Sequence, residues 1–232
     1  MDEGSGIPRE PCGAARRSGV DGRRHQVTTA FGYEHLVWGA IVGQVFFAGY
    51  LGIPRWLGDA AGFSLALPLD QHVPYVGWAA VPYTLGYAYA LAPALFFPEL
   101  HFFRRGALAL LATMAVCFVF FLTVPVRCVP PPLEGGLDAL LLPRLPWLQD
   151  GGWNSFPSLH VATATLALLS LLKVSRGVSV IAALLWLAIV ASTVLLKRHY
   201  LLDLPAGIAV GALAHFVIVE PELRRSGVRW AW

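Results

Sequence analysis

Apolar residues run along the chain in six long stretches. They cover residues 36–53, 76–97, 107–124, 156–172, 178–196 and 204–219, and His160 and His215 are their only Asp, Glu, Lys, Arg or His side chains. A helix that crosses a membrane needs about 17–25 predominantly apolar residues, because the hydrocarbon core is about 30 Å thick. The pattern therefore predicts an all-α fold, a bundle of six transmembrane helices (spans 1–6).

Two loops between these spans contain further apolar segments that are bounded by prolines. Residues 63–67 precede Pro68 in the loop between spans 1 and 2, and residues 137–142 precede Pro143 in the loop between spans 3 and 4. Such segments are too short to cross a membrane but can lie at its surface. We therefore predict short interfacial helices in both loops.

Two pairs of glycines have the spacing that allows helices to approach closely. Gly39 and Gly43 lie in span 1, and Gly207 and Gly211 lie in span 6. Small residues four apart leave room for a neighbouring backbone. We interpret both pairs as packing sites within the bundle rather than as contacts between two copies of the chain.

Composition supports a membrane protein and excludes soluble, disordered and disulfide-stapled classes. Hydrophobic residues make up 56% of the chain and charged residues only 13%, whereas a soluble domain has roughly 25% charged residues. Three cysteines form no disulfide framework, and only Cys128, on the predicted external side, is a candidate reactive thiol.

The sequence divides into two tails and one membrane domain. Residues 1–30 lack an apolar stretch and are predicted to be a disordered cytoplasmic tail. Residues 31–222 form the six-helix membrane domain, and 223–232 a cytoplasmic C-terminal tail.

The 17 basic residues are distributed unevenly about the predicted bundle. Most lie in the N-terminal tail, the loops 2–3 and 4–5, and the C-terminal tail. Cytoplasmic loops collect Lys and Arg, so both termini are predicted to be cytoplasmic and the loops 1–2, 3–4 and 5–6 external or lumenal. Because the basic residues flank spans and form no groove, nucleic acid is not a predicted partner. The sequence gives no indication of oligomeric state.

Three ionisable residues come together at the external end of this topology. His160 lies near the start of span 4, His199 at the end of span 5 and Asp203 at the start of span 6. Charged groups at membrane depth cost about 2.5–3.5 kcal/mol, so their presence indicates function. His199 and Asp203 would share a face of one continuous helix; alternatively, Pro205 indicates a new helix with Asp203 as its N-cap. Either arrangement lets the carboxylate orient the imidazole as a nucleophile.

The start of span 4 has the features of an anion site. Ser155 and Pro157 are helix-start signals, so unpaired N–H groups would face the external side and bind a phosphate beside His160. Three basic side chains at the same level, Arg127, Lys197 and Arg198, could neutralise phosphoryl oxygens.

Two short motifs resemble those of a known family. Phe156-Pro157-Ser158-Leu159-His160 and His199-Tyr200-x-x-Asp203 resemble the second and third signature motifs of the type 2 phosphatidate phosphatase superfamily, and the resemblance covers residues 33–220. Leu159 stands where the second motif has Gly, and Thr193 stands where the third has its phosphate-binding Arg. The first motif is not recognisable, and Arg127 is only a loose candidate for its Arg.

These departures resemble the branch that contains inositol phosphorylceramide synthases and, more distantly, sphingomyelin synthases. That branch has a Pro-Ser-Leu-His-like motif and a Lys-x-His-Tyr-x-x-Asp motif, which residues 197–203 fit. The resemblance implies an integral membrane lipid phosphatase or phosphotransferase that acts on a lipid phosphate or phospholipid headgroup. It leans slightly toward inositol-phosphotransferase-like activity, with an alcohol such as inositol as a possible acceptor.

The resemblance also implies a role for each site residue. His199 attacks phosphorus and forms a phosphohistidine, Asp203 orients His199, and His160 acts as general acid and then as general base. The phosphoryl oxygens are held by backbone amides near Ser158 and by basic side chains: Lys197, Arg127 and, at the same level, Arg198. The family requires no metal and no cofactor.

Other interpretations remain open. Two histidines and a carboxylate also suit iron or zinc. The missing Arg at position 193 favours a non-enzymatic lipid-binding protein with a degenerate site. Among enzymes, a simple phosphatidate or polyprenyl-phosphate phosphatase differs from a transferase only in whether water or an alcohol resolves the intermediate. The sequence does not reveal the lipid, the acceptor, the replacement for the missing Arg or the membrane in which the protein resides.

Overall fold

The computed structural model describes residue 1 and residues 31–58, 62–133, 135–144 and 151–229. Within these ranges the protein is all-helical, as predicted, and its only β-structure is an isolated bridge between Phe63 and Val126. The α-helices are, in chain order, α1 (Tyr33–Leu57), α2 (Ala80–Leu91), α3 (Pro93–Phe96), α4 (Leu100–Thr123), α5 (Leu137–Leu141), α6 (Leu159–Leu171), α7 (Arg176–Leu195), α8 (Asp203–Ala214) and α9 (Glu220–Arg225). A π-helix, His215–Val219, joins α8 to α9.

Four helical segments of the described chain are long and apolar enough to cross a membrane: α1, α4, α7 and the continuous stretch Asp203–Arg225. They correspond to predicted spans 1, 3, 5 and 6. Predicted span 2 is divided between α2 and α3 at Pro93, because proline has no N–H to continue the helical hydrogen bonds. Predicted span 4 is the 13-residue helix α6, which at 1.5 Å per residue is about 20 Å long.

Short helices occupy both loops for which they were predicted. A 3-10 helix covers Pro68–His72, so the helical turn follows residues 63–67 instead of including them. In the loop between α4 and α6, α5 continues into a 3-10 turn, Leu142–Arg144. The predicted N-terminal tail, apart from residue 1, lies outside the described residues, as do the last residues of the C-terminal tail. Helix α9 extends to Arg225, beyond the predicted domain boundary at 222.

Helix α6 lies at the centre of the bundle and packs against α2, α4, α7 and α8. The contact with α8 depends on two glycines, because a Cβ atom at Gly207 or Gly211 would lie 2.6 Å or 2.1 Å from a carbonyl oxygen of the 158–162 backbone. The predicted close approach at span 6 is therefore confirmed. At Gly39 and Gly43 no described atom lies within 4 Å of the Cβ position, so the same prediction for span 1 is wrong.

A buried charged network closes the C-terminal end of α6. The Glu220 carboxylate lies 2.5 Å from Lys173 Nζ, 3.3 Å from His215 Nε2 and 2.6 Å from Arg224 Nε. Ser170 Oγ lies 3.3 Å from Nδ1 of the same histidine. Buried charges persist only where paired, and these partners connect α6, the π-helix and α9. This network lies at the opposite end of α6 from His160.

Candidate active site

His199 lies in the turn between α7 and α8 with both ring nitrogens engaged. Its Nδ1 lies 2.9 Å from the carbonyl oxygen of Ser155 and 3.2 Å from Oδ2 of Asp203. Both of these partners are acceptors, which assigns the ring hydrogen to Nδ1. Nε2 therefore keeps its lone pair, and the hydroxyl of Ser158 donates to it over 3.1 Å. This is the tautomer that a nucleophilic histidine needs.

Asp203 is the first residue of α8 and is fully buried. Its Oδ2 accepts hydrogen bonds from the Ser155 hydroxyl at 2.5 Å and the Tyr200 N–H at 2.9 Å, in addition to His199. Of the two arrangements left open by the sequence, the new helix is the one observed. The N-cap is Leu202 rather than Asp203, because the Asp203 carboxylate turns back toward the preceding turn instead of capping its own helix.

Ser158 connects the start of α6 to His199. It is the N-cap of α6, and its Oγ accepts the backbone N–H of Val161 over 3.3 Å. The helix begins at Leu159, so its predicted start at residue 156 is wrong. The residue before a proline is disfavoured in helical conformation, which excludes Phe156, and a serine side chain is a preferred cap. The N-terminus of α6 therefore lies beside Nε2 of His199.

His160 is enclosed by aromatic side chains of α2. Its ring stacks on Tyr83 with centroids 4.3 Å apart, and the edge of Tyr87 lies at 4.9 Å. A Cβ at Gly86 would lie 2.2 Å from His160 Nε2, and this nitrogen has no hydrogen-bond partner among the described residues. The absence of a side chain at position 86 therefore creates the space for the imidazole. These three α2 residues belong to no motif recognised in the sequence, although their spacing of three and four places them on one helix face.

The three predicted basic side chains are not equivalent. Arg198 lines the cleft beside His199. Lys197 donates from Nζ to the carbonyl oxygen of Asp70 over 2.7 Å. Arg127 donates from Nε to the Gly151 carbonyl over 2.9 Å, and its guanidinium lies 5.1 Å from the Trp153 ring centroid. The structure thus brings one of the three to the cleft, whereas the other two hydrogen-bond backbone carbonyls nearby.

The cleft itself is small. Its lining residues are Tyr50, Tyr83, Gly152, Trp153, Asn154, Arg198 and His199, and its volume is about 10 Å³. That volume is close to the minimum for one water molecule, so a phosphate group requires the cleft to widen.

The segment before α6 also lines the cleft, which was not predicted from the sequence. Within it, Asn154 has a positive φ of 65° and donates from Nδ2 to the Tyr50 carbonyl over 3.1 Å.

Cys128 is not a reactive thiol in this arrangement. Burial, and next the negative charge of Asp203, raise the pKa of the Cys128 thiol to about 12. Its Sγ donates to the carbonyl oxygen of Lys197 over 3.4 Å. Because the thiolate is the nucleophilic form, a thiol that stays protonated at neutral pH does not serve as a nucleophile.

Substituting Ser158 tests its two contacts together. Ser158→Ala is expected to lower the free energy of unfolding by about 1 kcal/mol, because α6 loses its cap. It should also raise KM for a phosphorylated substrate roughly tenfold, because one donor beside Nε2 is lost. The matched control is Ser175→Ala, since Ser175 caps α7 through Val178 N–H at 3.3 Å, away from the cleft. Thermal unfolding and steady-state kinetics in detergent measure both effects; an equal KM change in the two variants would contradict the role of Ser158.

One family model matches the chain. The model of the PAP2 superfamily matches residues 50–217, a region that contains His160, His199 and Asp203. No curated protein and no solved structure matches the chain. The match covers well over half of the sequence and includes both histidines, the carboxylate and the serine that caps α6. The chain belongs to the PAP2 superfamily.

Proposed function

We propose that the protein is an integral membrane lipid phosphatase or phosphotransferase that works through a phosphohistidine at His199. Membership of the PAP2 superfamily supports a lipid phosphatase-type function. The observation that carries the proposal is the tautomer of His199, with Nδ1 facing two acceptors and Nε2 facing Ser158 at the N-terminus of α6. That helix end can hold the phosphoryl group that Nε2 attacks.

The proposed reaction has two displacements at phosphorus. In the first, the Nε2 lone pair forms a bond to phosphorus while the bond to the leaving oxygen breaks, and His160 gives that oxygen a proton. Asp203 stabilises the positive charge that develops on the His199 ring. In the second, water or an alcohol attacks the phosphohistidine, His160 takes the proton from the attacking oxygen, and the nitrogen–phosphorus bond breaks. The proton balance is restored with each turnover.

The proposal requires movement at His160. Its Nε2 faces Gly86 on α2, so the ring has to turn toward the phosphorus to donate a proton. The small volume of the cleft also has to increase when substrate enters. Arg198 lines the cleft, and the Ser158 hydroxyl would redirect its hydrogen bond from Nε2 to a phosphoryl oxygen. Lys197 and Arg127 would join them by exchanging their carbonyl contacts for the substrate.

We further propose the finer features that the motifs imply. Leu159 and the segment Lys197-Arg198-His199-Tyr200 favour the inositol phosphorylceramide synthase-like branch, and hence a transfer of the headgroup to an alcohol such as inositol. In the membrane, α2 with α3 and α6 would supply the second and fourth of six crossings. The distribution of Lys and Arg favours cytoplasmic termini and an active site on the external or lumenal side.

A lipid panel with and without inositol tests the proposed function. Purified protein should turn over at least one phosphorylated or phosphorylinositol lipid, and added inositol should divert the phosphoryl group from free phosphate to a phosphate ester of inositol. Free phosphate alone, whatever alcohol is added, would contradict the transferase assignment and favour a simple phosphatase. Turnover unchanged in His199→Gln would show that the turnover does not arise at this site, and would favour a site that binds lipid without reacting with it.

Excess chelator tests the alternative of a metal site. The described residues contain no group of three or more His, Cys, Asp or Glu side chains arranged to hold a metal ion. Turnover is expected to be unchanged in a chelator such as EDTA, since the proposed steps use His199, His160 and Asp203 alone. Loss of turnover that returns when zinc or iron is added would support the metal interpretation.

A further inference from the structure

A second, larger cavity lies beside the C-terminal half of α6. Its volume is about 350 Å³. Its lining is almost entirely apolar and includes Trp38, Gly39, Leu91, Phe103, Gly106 and Leu166. The one hydroxyl in the lining, that of Ser170, already donates to the Leu166 carbonyl over 3.1 Å. The lining contains no charged side chain, so its chemistry suits a hydrocarbon chain.

The cavity is aligned with the catalytic cleft along two helices. On α1, Val42 of the cavity lining and Tyr50 of the cleft lining lie eight residues apart and close to one helix face, a rise of about 12 Å. On α2, Leu91 lies one turn beyond Tyr87, whose edge contacts the His160 ring. The cavity thus begins where the aromatic surroundings of the catalytic cleft end.

An aromatic layer separates the two spaces. The rings of Phe46 and Tyr87 are 6.3 Å apart, and Phe46 stacks on Tyr50 with centroids 5.0 Å apart. Phe46 belongs to α1, which packs chiefly against α4 and buries only Tyr50 and Ile53 among its residues. Phe46 and Tyr50 of α1 and Tyr87 of α2 form this layer, so a small displacement of α1 or a rotamer change of Phe46 would join the cavity to the cleft.

We propose that this cavity holds the hydrocarbon chain of the substrate whose phosphate lies at His199. The chain would run from the cleft along the seam between α1 and α2, past Phe46 and Tyr87, into the cavity. This inference rests on the proposed function and adds to it a selection for long-chain lipids. A chain that moves from the bilayer into protein gains little from the hydrophobic effect. The selection therefore depends on how well the chain fits the cavity and orients the phosphate.

Filling the cavity tests the proposal. Gly39 and Gly106 line it, and no described atom lies within 4 Å of a Cβ at either position, so Gly39→Leu and Gly106→Leu place a side chain in open space. The matched control is Gly43→Leu, because Gly43 lies one turn further along α1, is equally uncrowded and does not line the cavity. In the two cavity variants, kcat/KM for dioleoyl phosphatidate should fall about ten- to a hundredfold. For water-soluble dihexanoyl phosphatidate it should stay unchanged, and Gly43→Leu should resemble wild type on both.

Equal losses on both substrates, or a similar loss in Gly43→Leu, would overturn the proposal, because the effect would then be on the fold. Unchanged activity in all variants would also overturn it, leaving the cavity to a bystander membrane lipid. A phosphatidate with a diazirine at the end of one acyl chain gives a test that does not need turnover. It should label the cavity lining in wild type and Gly43→Leu but not in Gly39→Leu, and an unlabelled lining in wild type would contradict the proposal. The proposed function fails separately, if wild type turns over no lipid in the panel or if His199→Gln remains active.

Discussion

Replacing His199 by glutamine is expected to lower lipid-phosphate turnover at least about a thousandfold, because it removes the ring nitrogen that we propose accepts the phosphoryl group. Glutamine keeps a polar side chain of similar length but has no ring nitrogen with a lone pair for phosphorus. The measurement is release of phosphate, or of phosphorylated headgroup, by purified protein under saturating substrate. A loss in kcat rather than in KM is the expected form, since the group acts on the transition state.

The matched control is His72→Gln. His72 lies in the loop between α1 and α2, its side chain is exposed, and its Nδ1 lies 3.0 Å from the Pro68 carbonyl oxygen. This substitution makes the same chemical change outside the cleft, so turnover should remain near that of wild type. Comparable losses in the two variants, or His199→Gln with activity within a few fold of wild type, would be incompatible with a nucleophilic His199.

Asp203→Asn is expected to reduce kcat by about a hundred- to ten-thousandfold with little effect on KM. Asparagine has nearly the shape of aspartate, but it removes the charge that stabilises a positively charged His199 ring and lets Nδ1 face an amide N–H. A comparable Asp→Asn change in a serine protease triad costs about ten-thousandfold through the wrong tautomer. Rate measurements across a substrate titration separate kcat from KM.

Asp138→Asn controls for the burial of a carboxylate. Asp138 is fully buried and its Oδ2 accepts the Tyr75 hydroxyl over 2.8 Å. The groups that hydrogen-bond the His199 ring are Ser155, Ser158 and Asp203 instead. If both variants unfold at similar temperatures and only Asp203→Asn loses turnover, the effect belongs to His199. An Asp203→Asn protein that is folded and fully active would remove Asp203 from the mechanism.

The helices could be predicted from the sequence because a bilayer leaves few alternatives to apolar helices. Long apolar stretches predicted the central parts of α1, α4, α7 and the α8–α9 stretch, although α4 begins seven residues before its stretch and α9 ends six residues after its own. The hydrophobic pattern predicted the wrong start for α6. Residues 156–158 are apolar or small enough to continue the apolar stretch, but they are not helical. A capping hydrogen bond from Val161 to Ser158 and the proline at 157 determine that end. Hydrophobicity contains no information about such local bonds.

The site was predicted only in part, for a similar reason. The contact between His199 and Asp203 was expected from either arrangement of residues 199–203, and the chain topology brings Ser158 to them. The contacts of long, flexible side chains cannot be read from the sequence. The hydrogen bond from Lys197 to the Asp70 carbonyl and the position of Arg127 over Trp153 were therefore not predicted. The enclosure of His160 by Tyr83 and Gly86 depends on how α2 packs against α6, which no local pattern specifies.

Trapping the covalent intermediate is the most direct measurement of the central claim. Purified protein would be mixed with a lipid labelled in its phosphate, quenched in base within one turnover and digested for mass spectrometry. We expect a phosphoryl group on His199 that is stable to base, lost in acid and absent in His199→Gln. In His160→Gln the label is expected to accumulate when the substrate has a good leaving group. Such a substrate does not need His160 as an acid, but the attacking water or alcohol still needs it as a base. An active enzyme with no trapped label, or with the label on another residue, would show that His199 is not the nucleophile.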